Sequence, residues 1–283
     1  MSLPAFALVG VPRAGTTSLY HYLGQHPQVN VSSMKEVNFL AYPGEEAARA
    51  NTPWLRFPVT TLADYERLFA DGGDRVGVDF SASCFRSPVA IERIRRHLPA
   101  AGLLIVLRDP VARAYSAYLN QIGKGYERRS PEVALAPGQR AVDNSFYAEP
   151  LSRYLDAFGP EAVRVWLFDD LVGRPRETMV EVFGHLGVDP GFGLDLRTVY
   201  NRASVSRSWV LARALPGYGT RRALSRVVPE RLAPSVRRAW RTLQAQAPPL
   251  PQPVAERLRR LYTPDILRVQ ELLGRDLSSW LEG

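Results

Sequence analysis

The sequence predicts an α/β fold: a central parallel sheet between two layers of helices, with a helical C-terminal region. Three observations lead there. Four short apolar runs, Ala5–Val11, Val76–Asp79, Leu103–Leu107 and Val163–Phe168, have the length of buried strands. Segments with helical periodicity lie between them. Strands alternating with helices form parallel sheets covered on both faces. The chain has 283 residues, enough to bury a core without disulfides.

The first run, Phe6 to Val11, leads directly into a glycine loop. No basic n-region precedes it, so it reads as a strand and not as a signal peptide. Ser18–Leu23 follows as a helix with Leu19, Tyr22 and Leu23 on one face. Thr61–Ala70 repeats the pattern with Leu62, Tyr65, Leu68 and Phe69. Residues 88–98 are predicted to start with Ser87 as N-cap and Pro88 at the first helical position, with Ile91, Ile94 and Leu98 inward. Asp109 and Pro110 open the clearest helix, whose stripe is Val111, Ala114, Tyr115, Tyr118, Leu119 and Ile122. Tyr147, Leu151, Tyr154, Leu155 and Phe158 form another. Beyond about residue 187 the strand signal stops. Loops and helices are expected there, with a proline-rich break at 248–253. The whole chain, 1–283, reads as one domain: an α/β core over 4–187, and 188–283 as its C-terminal part.

Composition excludes several classes. No run approaches the ~18 apolar residues of a membrane-spanning helix. Cys84 is the single cysteine, so no intrachain disulfide forms, and a reducing, cytoplasmic setting is expected. No cluster has zinc or calcium ligand spacing, and no metal is expected. The net charge is +8, and residues 201–250 hold ten arginines against Glu230 alone. This basic stretch reads as a rim for an acidic ligand or for peripheral contact with a membrane surface, or as a solvated helical face. No nucleic-acid-binding motif accompanies it. Oligomeric state leaves no trace in the sequence.

Two strand ends carry anion-binding chemistry. The first is Gly10-Val11-Pro12-Arg13-Ala14-Gly15-Thr16-Thr17-Ser18, in the G-x-x-x-x-G frame of a phosphate loop. Glycines let successive N–H groups converge on an anion, and a helix N-terminus adds partial positive charge. A nucleotide-hydrolysing loop places Lys after the second Gly. Here Thr16 stands there, and the cation is Arg13. The second is Leu107-Arg108-Asp109-Pro110, with Arg113 and Ser116 on the following helix. Arginine with a hydroxyl can grip a phosphate. Ligands of such sheets bind outside the carboxyl ends of the strands, so the pair suggests a ligand phosphorylated at two separate places.

These residues resemble a known family. The loop Gly10–Ser18 followed by His26-Pro27 is similar to the 5′-phosphosulfate loop of PAPS-dependent sulfotransferases, and Arg108-Asp-Pro-x-x-Arg-x-x-Ser116 to their 3′-phosphate motif. Lys35-Glu36-Val37-Asn38-Phe39-Leu40 resembles a segment of the glycan, heparan-sulfotransferase-like branch, here in a bacterial form. Asn201-x-x-Ser204-x-x-Arg207-Ser208 and Leu261-Tyr262 through Trp280 look like its C-terminal region. The resemblance implies a P-loop-NTPase-like fold without a required metal. It implies 3′-phosphoadenosine 5′-phosphosulfate (PAPS) as donor and a hydroxyl compound as acceptor. Arg13, Ala14, Gly15, Thr16, Thr17 and Ser18 would cradle the 5′-phosphosulfate. Arg108, Ser116 and Arg207 would bind the 3′ end. Glu36 would be the general base, with Arg13 stabilising the leaving group. His21 and His26 are rival bases.

The chain departs from the family at three places. Arg13 replaces the usual lysine, Asn38 stands for its histidine, and Asp79-Phe80-Ser81-Ala82 lacks the lysine of its glycan branch. The acceptor therefore leans toward a small molecule or glycolipid, with a glycan still open. Phe39, Tyr42, Trp54, Phe80, Phe85 and Tyr147 line a cleft or fill the core. A kinase-like P-loop enzyme and a non-catalytic anion or membrane-surface binder are the alternatives.

Overall fold

The computed structural model describes residues 3–50, 55–196, 204–206, 244–246 and 248–282. In chain order the elements open with β1 (Phe6–Gly10), α1 (Thr16–Leu23), β2 (Val29–Val31), α2 (Glu45–Ala50), α3 (Leu62–Arg67), β3 (Val76–Phe80), α4 (Ala90–His97) and β4 (Gly102–Leu107). Next come α5 (Pro110–Lys124), α6 (Pro131–Ala134), α7 (Arg140–Asp143), α8 (Ala148–Phe158), β5 (Val163–Leu167), α9 (Phe168–Gly173) and α10 (Pro175–Leu186). The chain closes with β6 (Ser204–Ser206), β7 (Gln244–Gln246), α11 (Gln252–Leu273) and α12 (Ser279–Glu282). No helix among the described residues is long and apolar enough to cross a membrane.

The described residues fall into two compact units. The first draws on Met1–Arg108, Tyr147–Tyr200 and Glu271–Gly274. Its sheet has the order β2-β3-β1-β4-β5, and every pairing is parallel. From Leu103 to Leu107 no side chain reaches solvent. Successive strand residues face opposite sides, so this unbroken burial means that helices cover both. β1 lies between strands that follow it in opposite directions across the sheet. That order makes the crevice at its carboxyl end the place where a ligand fits.

The second unit draws on Asp109–Phe146, Asn201–Gln270 and Arg275–Gly283. Asp109 caps α5 as its sequence predicts: the carboxylate accepts the Val111 N–H at 2.9 Å, with Pro110 at the first turn. α11 turns Val254, Leu258, Tyr262, Ile266 and Val269 inward. The Tyr262 hydroxyl donates to the Val142 carbonyl at 2.9 Å. Arg113, 3% exposed, donates to Ala141 O and Ser145 Oγ. It is a structural residue that ties α5 to α7.

Three expectations are corrected. The edge strand β2 escapes the sequence reading because it is three residues long and carries Asn30. The helix expected from Pro88 begins at Ala90, because residues 82–86 form a 3₁₀ turn that ends at Ser87 in an extended conformation. Strands do recur beyond residue 187: β6 and β7 pair antiparallel. They are too short to give a periodic signal. The Arg-rich stretch 201–250 lies mostly outside the described residues, as do Asn201, Arg207, Ser208 and Trp54.

Candidate active site

The loop from Val11 to Gly15 joins β1 to α1 at the carboxyl edge of the sheet. Its frame is held from both sides. The Val11 N–H donates to Val106 O on β4, and the Ser81 N–H, just past β3, donates to Leu8 O on β1, both at 3.0 Å. Arg13 has φ +78° and Gly15 φ +84°. Glycine adopts that conformation freely; for arginine it costs about 1–2 kcal/mol. A Cβ on Gly15 would also come within 2.9 Å of the Phe168 ring. Gly15 is the N-cap of α1, and no side chain caps that helix end. The first-turn amides thus keep the anion-binding character of a helix N-terminus, with Thr16, Thr17 and Ser18 beside them.

Arg108 directly follows β4, on the strand next to β1. Its Nη1 donates to the Arg13 carbonyl at 3.1 Å. Its guanidinium lies 4.4 Å from the centre of the Phe168 ring, a cation–π contact. Tyr147 donates its hydroxyl to the Arg108 carbonyl at 2.9 Å. The ends of β1, β4 and β5 therefore bring Arg13, Arg108 and Phe168 together. Phe168 is absent from the sequence-based site. The sequence makes it the last apolar residue of a strand, whereas it is the first residue of α9 and packs under both Gly15 and Arg108. Ser116 is buried on α5, in the second unit.

A second wall forms beyond β3. The Glu36 N–H donates to Phe80 O at 2.8 Å, and the Asn38 N–H to Ser81 Oγ at 2.9 Å. Glu36 and Asn38 have φ +60° and +57°. Asparagine tolerates this region; glutamate adopts it only when its surroundings enforce it. Both polar atoms of the Asn38 side chain are engaged. Its Nδ2 donates to Arg56 O at 2.9 Å, and its Oδ1 accepts the Ser83 hydroxyl. The Glu36 carboxylate is 38% exposed and takes the Lys35 ammonium at 2.6 Å. Below it, Asp79 is wholly buried. Burial pushes the Asp79 carboxyl up to about 7, against the Ser81 hydroxyl, which pulls it down.

The other candidates sort by burial. His26 is 2% exposed. Its Nδ1 accepts the Gln28 N–H at 3.1 Å, so the proton sits on Nε2, which donates to Asp189 O at 3.0 Å. With both nitrogens engaged, His26 cannot act as a base. His21 sits on α1 edge-on to the Tyr20 ring. Burial lowers the pKa of His97 and of His185. The Cys84 thiol is buried and pushed well up by desolvation, which makes it unreactive. Of the cleft aromatics, Phe39, Phe80, Phe85 and Tyr147 are core residues, and Tyr42 is half-buried. Among the described residues no group of three or more His, Cys, Asp or Glu side chains gathers to hold a metal.

Comparison with known proteins gives one picture. The sequence matches a family model described as the sulfotransferase family over residues 4–190. It is 28% identical over 208 residues to the human bifunctional heparan sulfate N-deacetylase/N-sulfotransferase 3, covering 67% of this chain and 23% of that protein. It is 26% identical over 201 residues to the mouse heparan sulfate glucosamine 3-O-sulfotransferase 5, covering 66% and 54%. The matched region thus spans between a quarter and about half of these relatives. In fold it resembles a sulfotransferase from Alicyclobacillus acidocaldarius, with TM-score 0.71, 24% identity and 99% of both chains covered. It also resembles the sulfotransferase domain from the curacin biosynthetic pathway, with TM-score 0.50, 16% identity, and 93% and 99% covered.

Proposed function

The chain belongs to the sulfotransferase family, and we propose that it transfers a sulfuryl group from PAPS to the hydroxyl of an acceptor, by in-line displacement. One observation carries the donor assignment. Arg108 Nη1 bonds the Arg13 carbonyl, so a cation at the end of β4 sits against the uncapped helix-α1 loop. Two anion-binding elements side by side fit a nucleotide phosphorylated at both ends. Thr16, in place of a P-loop lysine, fits ATP poorly. We read residues 1–283 as one sulfotransferase domain comprising both units.

In this reading the loop amides with Arg13, Ala14, Gly15, Thr16, Thr17 and Ser18 hold the 5′-phosphosulfate. Arg108, Ser116 and Arg207 hold the 3′ end. Glu36 takes the acceptor's proton. The acceptor oxygen bonds to sulfur, the bond from sulfur to the 5′-phosphate oxygen breaks, and 3′,5′-phosphoadenosine leaves. Arg13 stabilises charge on the departing oxygen, where preorganised cations are most effective. The acceptor is a small molecule, a glycolipid or a glycan. Phe80 is a core residue and Asn38 is locked by four hydrogen bonds to backbone and serine partners. Neither offers the proton-handling chemistry of a lysine or histidine, and in this reading Glu36 does that work.

A thermal-shift titration tests the donor. 3′,5′-Phosphoadenosine at ~100 times its Kd should stabilise the chain by ~2.7 kcal/mol. AMP should do less. A larger shift with ATP and magnesium, or none with any nucleotide, would overturn the assignment.

A further inference from the structure

We propose that Asp79 is a positioning residue for Glu36, acting through the Ser81 hydroxyl and the Asn38 amide. The proposal rests on the reading of Glu36 as the base. The chain of contacts is short. Ser81 donates its hydroxyl to Asp79 Oδ1 at 3.1 Å, and Ser81 Oγ accepts the Asn38 N–H at 2.9 Å. A serine hydroxyl has one proton. Committing it to Asp79 turns a lone pair toward Asn38. Asp79 therefore fixes the orientation of the acceptor that the Asn38 amide needs.

The amide needs it because the 36–38 segment does not hold its shape unaided. Glu36 and Asn38 both lie in the left-handed region, with Val37 between them fully buried. Such a backbone persists only when its surroundings over-determine it. Two of the fixings are the Glu36 N–H on Phe80 O and the Asn38 N–H on Ser81 Oγ. Both lead to the two residues that follow Asp79. Release of the second would let the segment relax toward ordinary φ values and carry the Glu36 carboxylate away.

Asp79 is also an expensive residue for the sheet. It is the penultimate residue of β3, at 0% exposure. The groups that face it are Ser81, Tyr65 from α3, the Phe80 backbone amide, Cys84 from the following turn, and Glu36; none of these is a cation. Its Oδ2 and the Tyr65 hydroxyl face each other, yet both are buried without a partner at full hydrogen-bond geometry. Packing alone would be served better by valine or leucine, since a buried polar group costs free energy unless it is bonded. The return for that cost is the bonded oxygen, Oδ1, which orients Ser81.

Hydrogen exchange read by mass spectrometry on the full chain, with 3′,5′-phosphoadenosine bound, tests this. In Ser81→Ala, peptides covering 36–40 should exchange about tenfold faster, the scale of one lost buried hydrogen bond. Peptides covering β4 should be unchanged. Hydrolysis of PAPS, in which water takes the acceptor's place and sulfate and 3′,5′-phosphoadenosine are released, should lose kcat with its KM retained. Asp79→Asn keeps an acceptor oxygen at Oδ1 and should restrain the 36–40 peptides far better than Ser81→Ala does. Unchanged exchange at 36–40 in Ser81→Ala, or acceleration equally spread into β4, would overturn the proposal. If Ser81→Ala does not fold, the double variant Asp79→Leu, Ser81→Ala removes both polar partners at lower cost and reads the same outcomes. Glu36→Gln separates the two readings. If it still turns over, Glu36 is not the base, while the exchange result by itself decides how the segment is held.

Discussion

Among the described residues three that are not glycine, Arg13, Glu36 and Asn38, hold positive φ, and two of them are the proposed catalytic pair. Strained backbone concentrates where geometry matters more than stability. If Glu36 is the base, Glu36→Gln should abolish turnover and leave the affinity for 3′,5′-phosphoadenosine within about twofold, since the amide keeps size and polarity. A single-turnover assay beside a binding titration checks both halves. Asp79 makes a second prediction, on stability. Its folded pKa is raised to about 7 from the ordinary 3.8. Between those values the folded chain binds the proton that the unfolded chain has lost. Stability from this residue therefore falls as pH rises through that window and levels off above it, by an amount on the order of a few kcal/mol. Asp79→Asn should remove the effect. Its melting temperature, compared with the parent's, should gain more at pH 8 than at pH 5. An equal difference at both pH values would mean that Asp79 titrates like an exposed carboxylate.

At the scale of elements, the site is a set of strand ends locked by the loops and helices that come after them. The α1 loop is shaped by Gly15, and Gly15 is crowded by Phe168 of α9. Gly15→Ala would meet both a positive φ and the ring. It should destabilise the chain by about 1–2 kcal/mol from the backbone alone and weaken nucleotide binding further. Phe168→Ala relieves the crowding but removes the face on which Arg108 rests. It should weaken 3′,5′-phosphoadenosine by roughly 3- to 30-fold while affecting 5′-AMP less, because Arg108 is assigned to the 3′-phosphate. Isothermal titration with the two nucleotides distinguishes this from general loosening, in which both would suffer alike.

At the scale of the molecule, the chain folds as two units that are not consecutive in sequence. The second is assembled from a segment after β4 and from the C-terminal region. Within it, the Tyr262 hydroxyl on α11 bonds Val142 O, close to the buried Arg113. Tyr262→Phe would remove one of that carbonyl's two donors and leave it the Ser145 N–H. It should cost about 0.5–1.5 kcal/mol, measurable as a shift in the denaturant midpoint with little change in slope. No change would mean that the C-terminal helix is held by its apolar stripe alone.

The sequence by itself determined the parallel α/β core, the glycine loop after the first strand and the capped helix after Arg108. These are local features. Continuous apolar runs, helical periodicity, and Asp or Pro at a helix start express themselves within a few residues. It also exposed the candidate cations and carboxylate, because a motif places residue types at set spacings. What only the tertiary structure decided is what meets across the chain. Phe168 lies more than 150 residues from Gly15 and 60 from Arg108 in sequence, yet packs on both. His26, a rival base on sequence grounds, loses that role because Gln28 and Asp189 occupy its two nitrogens. Four of the cleft aromatics proved to be core, since burial depends on neighbours from other strands. The Asp79–Ser81–Asn38 connection joins a strand end to a loop some 40 residues earlier. Hydrogen bonds and ring contacts act over a few ångströms in space and carry no period in sequence, so only the folded chain could reveal them.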